Sequence, residues 1–502
     1  MPNKDKNFFG EVPSGTNATP RVESKKSSGF KFDKKWFLAA LLIIIVLAAA
    51  FIINSNYDGY NISTNTSSLD IDNGDLKINW DKYSITDVEL DGSLTISNSG
   101  IYHLTGSLEN GSILINAGAS GEVKLILDNV SIKNSAGPAI YCIAGEDLVI
   151  ELVGENYLVD SAKYSDDIDE DIKSTIYSKA DLTFEGSGEL NLTANYQDGI
   201  VSKDDLKFNG GTYHITAADD GIRGKDSVYM AGGTFDVTSK GDAIKSTNDT
   251  DSGKGFVLIE NGNISIAAGD DGIHAINTLI VQSGIIDIAK SYEGLEAQKI
   301  TINDGEISIT ASDDGINAGG GSSNSTSDPM AGDANCELTF NGGNTYINAS
   351  GDGVDSNGYI YFNGGKVVVD GPTNNGNGAL DSGLGIITNG GEVIAVGSSG
   401  MAEAPSTISN TYSASIYFTA SQSAGTKVEI KNSNDETIAE HTSAKIFTHL
   451  TISSAYFELG ETYTIYLNGE KYQDFAISDI VTTVGNSNSN NMMMPGGPQN
   501  RR

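Results

Sequence analysis

Three stretches decide how the chain reads: LKFNGGTYHITAADDGIRG (206–224), VYMAGGTFDVTSKGDAIKS (228–246) and ITINDGEISITASDDGINA (300–318). In each, an alternating apolar–polar run passes through a Gly-containing turn into a second alternating run. An acidic turn then leads into a short third apolar segment. The period is two, which is the signature of β-strand rather than helix. Leu206, Phe208, Tyr213 and Ile215 carry it in the first stretch; Val228, Met230, Phe235 and Val237 in the second; Ile300, Ile302, Ile307 and Ile309 in the third.

Outward from these copies, the third-segment apolar residue recurs at Ile140, Ile176, Ile200, Ile222, Ile244, Ile273, Leu295, Ile316, Val354 and Leu380. Its shortest spacings are 21 and 22 residues, lengthened by polar insertions at 159–174, 247–255 and 319–335. A fixed short period broken only by loops marks stacked repeats, and three short strands per repeat predict a right-handed parallel β-helix over residues 80–400. Two positions further on, Cys142, Ser178, Ser202, Gly224, Ser246, Ala275, Ala297, Ala318, Ser356 and Ser382 form a column of small residues. Such a column reads as an inward stack where the coil is narrow, with Cys142 a small core residue. A second column, Gly211, Gly233, Gly262, Gly284, Gly305, Gly343, Gly365 and Gly391, marks a bend that needs positive φ. Residues 94–135 read as the first, capping coils. Residues 401–482 lose the repeat and read as a C-terminal β domain or cap, with a hairpin turning at Asn468-Gly469. Residues 483–502 read as a disordered tail.

The 502 residues carry 31 Lys plus Arg against 66 Asp plus Glu, a net charge of −35. That excludes a nucleic-acid binder, which needs a basic footprint. Two cysteines, Cys142 and Cys336, provide neither a disulfide scaffold nor a Cys-rich zinc site. Residues 36–53 (WFLAALLIIIVLAAAFII) are 18 apolar positions in a row, about the minimum for a membrane span. The 35 residues before them hold eight basic and four acidic side chains. The positive-inside rule then predicts a cytoplasmic stub (1–35), a transmembrane anchor (36–53), a polar linker (54–79) and an extracellular, monomeric remainder. A cleaved signal peptide ending near Ala50 is the competing reading, with an unusually long charged region ahead of it.

The chemistry lies in the acidic turns. The residue two before the apolar column is Asp198, Asp220, Asp242, Asp271, Glu293, Asp314 and Asp352. Asp219, Asp270 and Asp313 precede three of these, and Glu296, Asp355 and Asp381 follow the column on the outward side. Parallel strands stack at roughly 4.8 Å, so these groups line one edge. Neighbouring like charges at that spacing repel by ~3 kcal/mol at an effective dielectric of about 20, and a row of them calls for a counterion. Asp-Gly is also plain turn chemistry, which is the alternative. Calcium is the expected ion, a hard cation that takes carboxylate, carbonyl and water oxygens. Its expected ligands are Asp219, Asp220, Asp242, Asp270, Asp271, Glu293, Glu296, Asp313, Asp314, Asp352, Asp355 and Asp381. Arg223 and Lys245 stand where they can neutralise Asp220 and Asp242, so calcium is expected to favour the stretch from Asp270 to Asp381.

The DDGI, GDGV and FNGG repeats, with GPAIY ahead of them and a short β tail behind, resemble the clostridial carbohydrate-binding β-helix family over roughly residues 84–482. That resemblance implies a pectate-lyase-like fold, bound calcium, a secreted or surface-attached protein, and cellulose or acidic plant polysaccharide as partner. Glu293-Gly294-Leu295 and Ala243 depart from the DDGI pattern. Two other functions stand beside non-catalytic binding. A pectate-type lyase would need calcium and a base, for which Arg223 is the conspicuous candidate. A structural surface adhesin or spacer would need neither. Tyr141, Tyr177, Tyr359 and Tyr361 are candidate platforms for sugar rings, and no residue is assigned to carbohydrate contact.

Overall fold

Alternation of apolar and polar residues builds strands throughout the computed structural model, which describes residues 69–71, 78–319 and 332–486. Among them there is no α-helix, and one short 3-10 turn, Trp80–Lys82, precedes the first strand. One sheet contains 35 strands, and a second, antiparallel sheet contains four: Lys427–Lys431, Thr437–Thr442, Thr462–Leu467 and Glu470–Ala476.

Most pairings in the large sheet are parallel and join equivalent positions of successive repeats. Leu206 pairs with Val228, Phe208 with Met230 and Tyr213 with Phe235. The apolar column stands in one register from Ile140 through Ile176, Ile200, Ile222, Ile244, Ile273, Leu295 and Ile316 to Val354 and Leu380. These residues are fully or almost fully buried in one core that runs from Leu90 to Ala395. Cys142 sits inside it as a free, buried thiol. All eight bend glycines have positive φ, from 73° to 145°, a region that a side chain would strain. Beside this bend a ladder of amides links six repeats: Asn303 donates to Gln282, Asn341 to Asn303, Asn363 to Asn341, Asn389 to Asn363 and Asn410 to Asn389, at 2.7–2.9 Å.

The architecture corrects the expectation. The expected right-handed parallel β-helix solenoid with a small C-terminal β domain or cap is not what the strands build: C-terminal strands enter the same sheet and reverse its direction. Phe447–Ser454 pairs antiparallel with Glu392–Gly397, placing Ile394 opposite Ile452, and with Ser413–Gln422, placing Ile416 opposite Leu450. The last parallel strand would otherwise leave a row of unpaired backbone groups at an open edge. Glu392–Gly397 serves two cores through its alternation: Val393 and Ala395 face the long core, while Ile394 and Val396 face the C-terminal one. The expected membrane helix at 36–53 lies outside the described residues. Among the described residues no helix is long and apolar enough to cross a membrane, and the single-pass placement, with a cytoplasmic N-terminus and an extracellular remainder, is withdrawn with it.

Asp370 ties the C-terminal sheet to the repeats. Its carboxylate is wholly buried and accepts from Tyr346 Oη (2.8 Å), Ser443 Oγ (2.9 Å) and the Ala444 amide (3.1 Å), with His441 Nε2 at 2.9 Å. Burial alone would raise its pKa, but His441 and these donors hold it below the usual range. Asp370→Asn is expected to cost about 3 kcal/mol, since an amide cannot serve all four donors. The denaturant midpoint reads this out. The same depressed pKa gives stability that is present above the ordinary carboxylate pKa and lost as pH falls through the folded value.

Candidate functional site

Two columns flank the buried apolar one and form the site. On the turn side stand Asp198, Asp220, Asp242, Asp271, Glu293, Asp314 and Asp352. On the outward side Arg223, Lys245, His274, Glu296, Asn317, Asp355 and Asp381 follow in register.

One oxygen of most turn-side carboxylates has a structural task. Oδ1 of Asp198 accepts from the backbone amide of Asp220 (3.3 Å), that of Asp220 from Asp242 (3.0 Å), that of Asp242 from Asp271 (2.9 Å) and that of Asp271 from Glu293 (3.1 Å). The series resumes with Asp314 accepting from Asp352 (2.6 Å) and Asp352 from Gly378 (2.5 Å). Glu293, one methylene longer, instead accepts from Asn317 Nδ2 at 3.1 Å. Short side chains therefore staple repeat to repeat, which the turn-chemistry alternative anticipates, and each leaves its other oxygen for the outward column.

Charge divides that column in two. Toward the N-terminus, Arg223 Nη2 lies 2.5 Å from Asp198 Oδ2 and its Nη1 3.8 Å from Asp220 Oδ2, and Lys245 pairs with Asp242. Burial works to raise the pKa of Asp242, but His274 and Lys245 hold it below the ordinary value. His274 Nδ1 marks the border, 3.6 Å from Asp242 Oδ2, 3.6 Å from Asp271 Oδ2 and 3.4 Å from Glu296 Oε2. Beyond it carboxylates crowd together. Asp271, Glu293 and Glu296 each offer an oxygen within 4.8 Å of the others, and Asp242, Asp271 and His274 form a second such group. Burial, reinforced by Glu296 and Asp242, pushes Asp271 up to about 9, and burial and Glu296 push Glu293 up to about 7.

Among the described residues no ion pair with Lys, Arg or His engages Asp314, Asp352, Asp355 or Asp381. Burial comes first for each. Asp313 and Asp381 then help lift Asp314 to about 6, Asp314 and Asp381 help lift Asp352 to about 7, and Asp381 and Asp352 help lift Asp355 to about 8. Glu403, from the segment after the repeats, joins them with its pKa raised to about 7 by burial and by Asp381.

The structure thus brings Asp271, Glu293 and Glu296 together, and sets Asp355 beside Asp381 on adjacent strands. Asp220 and Asp242 belong to the stretch that carries Arg223 and Lys245, where burial still raises Asp220 and lifts Asp198 to about 6, while Asp219 and Asp270 are exposed on the turn. Asp313 is half-buried on the same turn, near the Tyr292 hydroxyl. Glu403 was missed because it follows the last repeat, where the spacing no longer predicts position. Tyr177 is only 1% exposed, covered by the insertion whose Tyr164 bonds Asp160 and the Ser174 carbonyl, so it is not a surface platform.

The chain is similar to carbohydrate-binding proteins. A family model described as carbohydrate-binding domain-containing protein matches residues 90–326. A carbohydrate-binding domain-containing protein of Acetivibrio thermocellus is 31% identical over 185 residues, covering 34% of this chain and 65% of the relative, so the chain spans less than two-thirds of that relative's length. A solved structure described as a polysaccharide lyase-like protein from C. thermocellum, gadolinium derivative, is 32% identical. The match covers 41% of this chain and 89% of that one, with a TM-score of 0.39.

Proposed function

We propose that the protein binds an acidic polysaccharide through calcium held on the carboxylate edge, and that it does not cleave the polymer. The observation that carries the proposal is the run of carboxylates from Asp271 to Asp381, in which Asp271, Glu293 and Glu296 bring oxygens within 4.8 Å of one another and no Lys or Arg ion pair is present among the described residues. Similarity to proteins described as carbohydrate-binding supports the ligand class.

The donor set fits calcium: clustered carboxylate oxygens, no thiolate, and one imidazole at the border. Asp271, Glu293 and Glu296 would hold the ion, and the carboxylates farther along the ladder, to Asp381, would add to the negative field around it. Bound calcium would supply open coordination positions for uronate carboxylates that a protein of charge −35 otherwise repels. Because the acidic groups repeat with the strands, a linear polymer can meet several of them in line.

Arg223 favours binding over elimination. A base at the uronate C5 proton has to be free to take it, whereas Arg223 is committed to Asp198 and Asp220. Lys245 is likewise held by Asp242. The expected result is retention on immobilised polygalacturonate in calcium, release by chelator, and no gain of unsaturated-uronate absorbance on prolonged incubation. Absorbance that grows with calcium and disappears in Arg223→Ala would make the protein a lyase.

A further inference from the structure

A divalent ion on carboxylates does not by itself distinguish a sugar acid from any other carboxylate, so selectivity for a sugar polymer needs a surface that reads the ring. The turn position immediately before the turn-side carboxylates is Gln197, Asp219, Gly241, Asp270, Tyr292, Asp313 and Gly351 in successive repeats. Six of these are small or polar, and one is aromatic. Tyr292 directly precedes Glu293 of the Asp271–Glu293–Glu296 group, and it is 47% exposed although its ring is apolar.

Its setting is rigid. The Tyr292 amide donates to the Asp270 carbonyl at 2.7 Å, and its carbonyl accepts from the Asp313 amide at 2.9 Å. The Asp313 carboxylate lies near its hydroxyl. Nearly half of the residue is exposed, and no aromatic neighbour stacks on it among the described residues.

We infer that Tyr292 is the ring-reading residue of this site: the apolar C–H face of a uronic acid stacks on it while the carboxylate of the same sugar meets the cation held by Asp271, Glu293 and Glu296. This rests on the calcium-dependent reading of the site and assigns it selectivity for uronate sugars over other polyanions. A tyrosine supplies a large, stiff contact area with little rotamer entropy to lose.

The test measures, in calcium, the affinities of the full-length protein for polygalacturonate and for poly-glutamate of matched charge, alongside the affinity for calcium alone. Wild type is expected to prefer polygalacturonate by about tenfold, a difference of ~1.4 kcal/mol. Tyr292→Ala should erase that preference with calcium affinity unchanged, and Tyr292→Phe, which keeps the ring, should retain it. The inference is overturned if Tyr292→Ala keeps the wild-type preference, or if it weakens calcium binding in parallel, which would make the residue part of the ion site. If wild type binds neither polymer in calcium, the underlying reading fails and this inference falls with it; polygalacturonate binding that is unchanged in Tyr292→Ala sinks the tyrosine alone.

Discussion

Metal-free protein is expected to lose stability as the pH rises from about 5 to about 8, and calcium to restore it. The sign follows from the direction of the shifts. Asp271 is pushed up to about 9, Asp355 to about 8, and Glu293, Asp352 and Glu403 to about 7. In the unfolded chain such groups ionise near 4. Between the two values the unfolded chain has released protons that the folded one still holds, so each unit of pH favours unfolding. Summed over the set and discounted for partial exposure and coupling, the loss is on the order of 5 kcal/mol by about pH 8. Calcium binds the ionised form, so its stabilisation grows with pH and reaches ~2.7 kcal/mol per site at a hundredfold excess over Kd. Scanning calorimetry in chelator and in calcium at both pH values resolves this. Identical melting in all four conditions would remove the metal from the account.

The double variant Asp271→Asn, Glu296→Gln should stabilise the chelated protein and abolish most of its response to calcium. Asparagine keeps an Oδ1 to accept from the Glu293 amide, so the staple between repeats survives. The change removes two of the ionisable groups crowded around His274 and Glu293, one of which the folded chain holds protonated where the unfolded chain has already ionised. At about pH 8 the apo form should gain ~2 kcal/mol, while calcium affinity at this group falls by at least tenfold. The neutralised stretch provides the contrast. Asp198→Asn weakens the bond that Arg223 Nη2 makes to Asp198 at 2.5 Å, and should cost about 2 kcal/mol without altering the calcium response. Were the two variants to behave alike, the division of the ladder into neutralised and open halves would be lost.

Much of this was legible because a repeat of fixed length turns sequence position into spatial position. Ile222 and Ile244 share a column because 22 residues separate them, and Arg223 stands beside Lys245 for the same reason. Alternation marked the core, and glycine marked the bend. What the repeat does not encode could not be read. Glu403 reaches Asp381 from a segment after the last repeat. The insertion at 159–174 covers Tyr177, which period two alone assigns to the surface. The reversal of strand direction at Glu392–Gly397 depends on pairing with Phe447–Ser454, about fifty residues away, and local alternation is the same in parallel and antiparallel strands. The double role of the aspartates, one oxygen for the backbone and one for the outward column, needed the register before it could be seen.

The claim beneath the rest is that the carboxylates from Asp271 to Asp381 are a cation site and not only an acidic surface. Calorimetric titration of calcium into the chelator-stripped protein at about pH 7 tests it most directly. Because burial holds several of these groups protonated, binding must displace protons, and the heat should change with the ionisation enthalpy of the buffer. The account predicts saturable binding with proton release, both greatly reduced in Asp271→Asn, Glu296→Gln. Heat that fails to saturate, or saturable binding that is independent of buffer and untouched by the double variant, would contradict it.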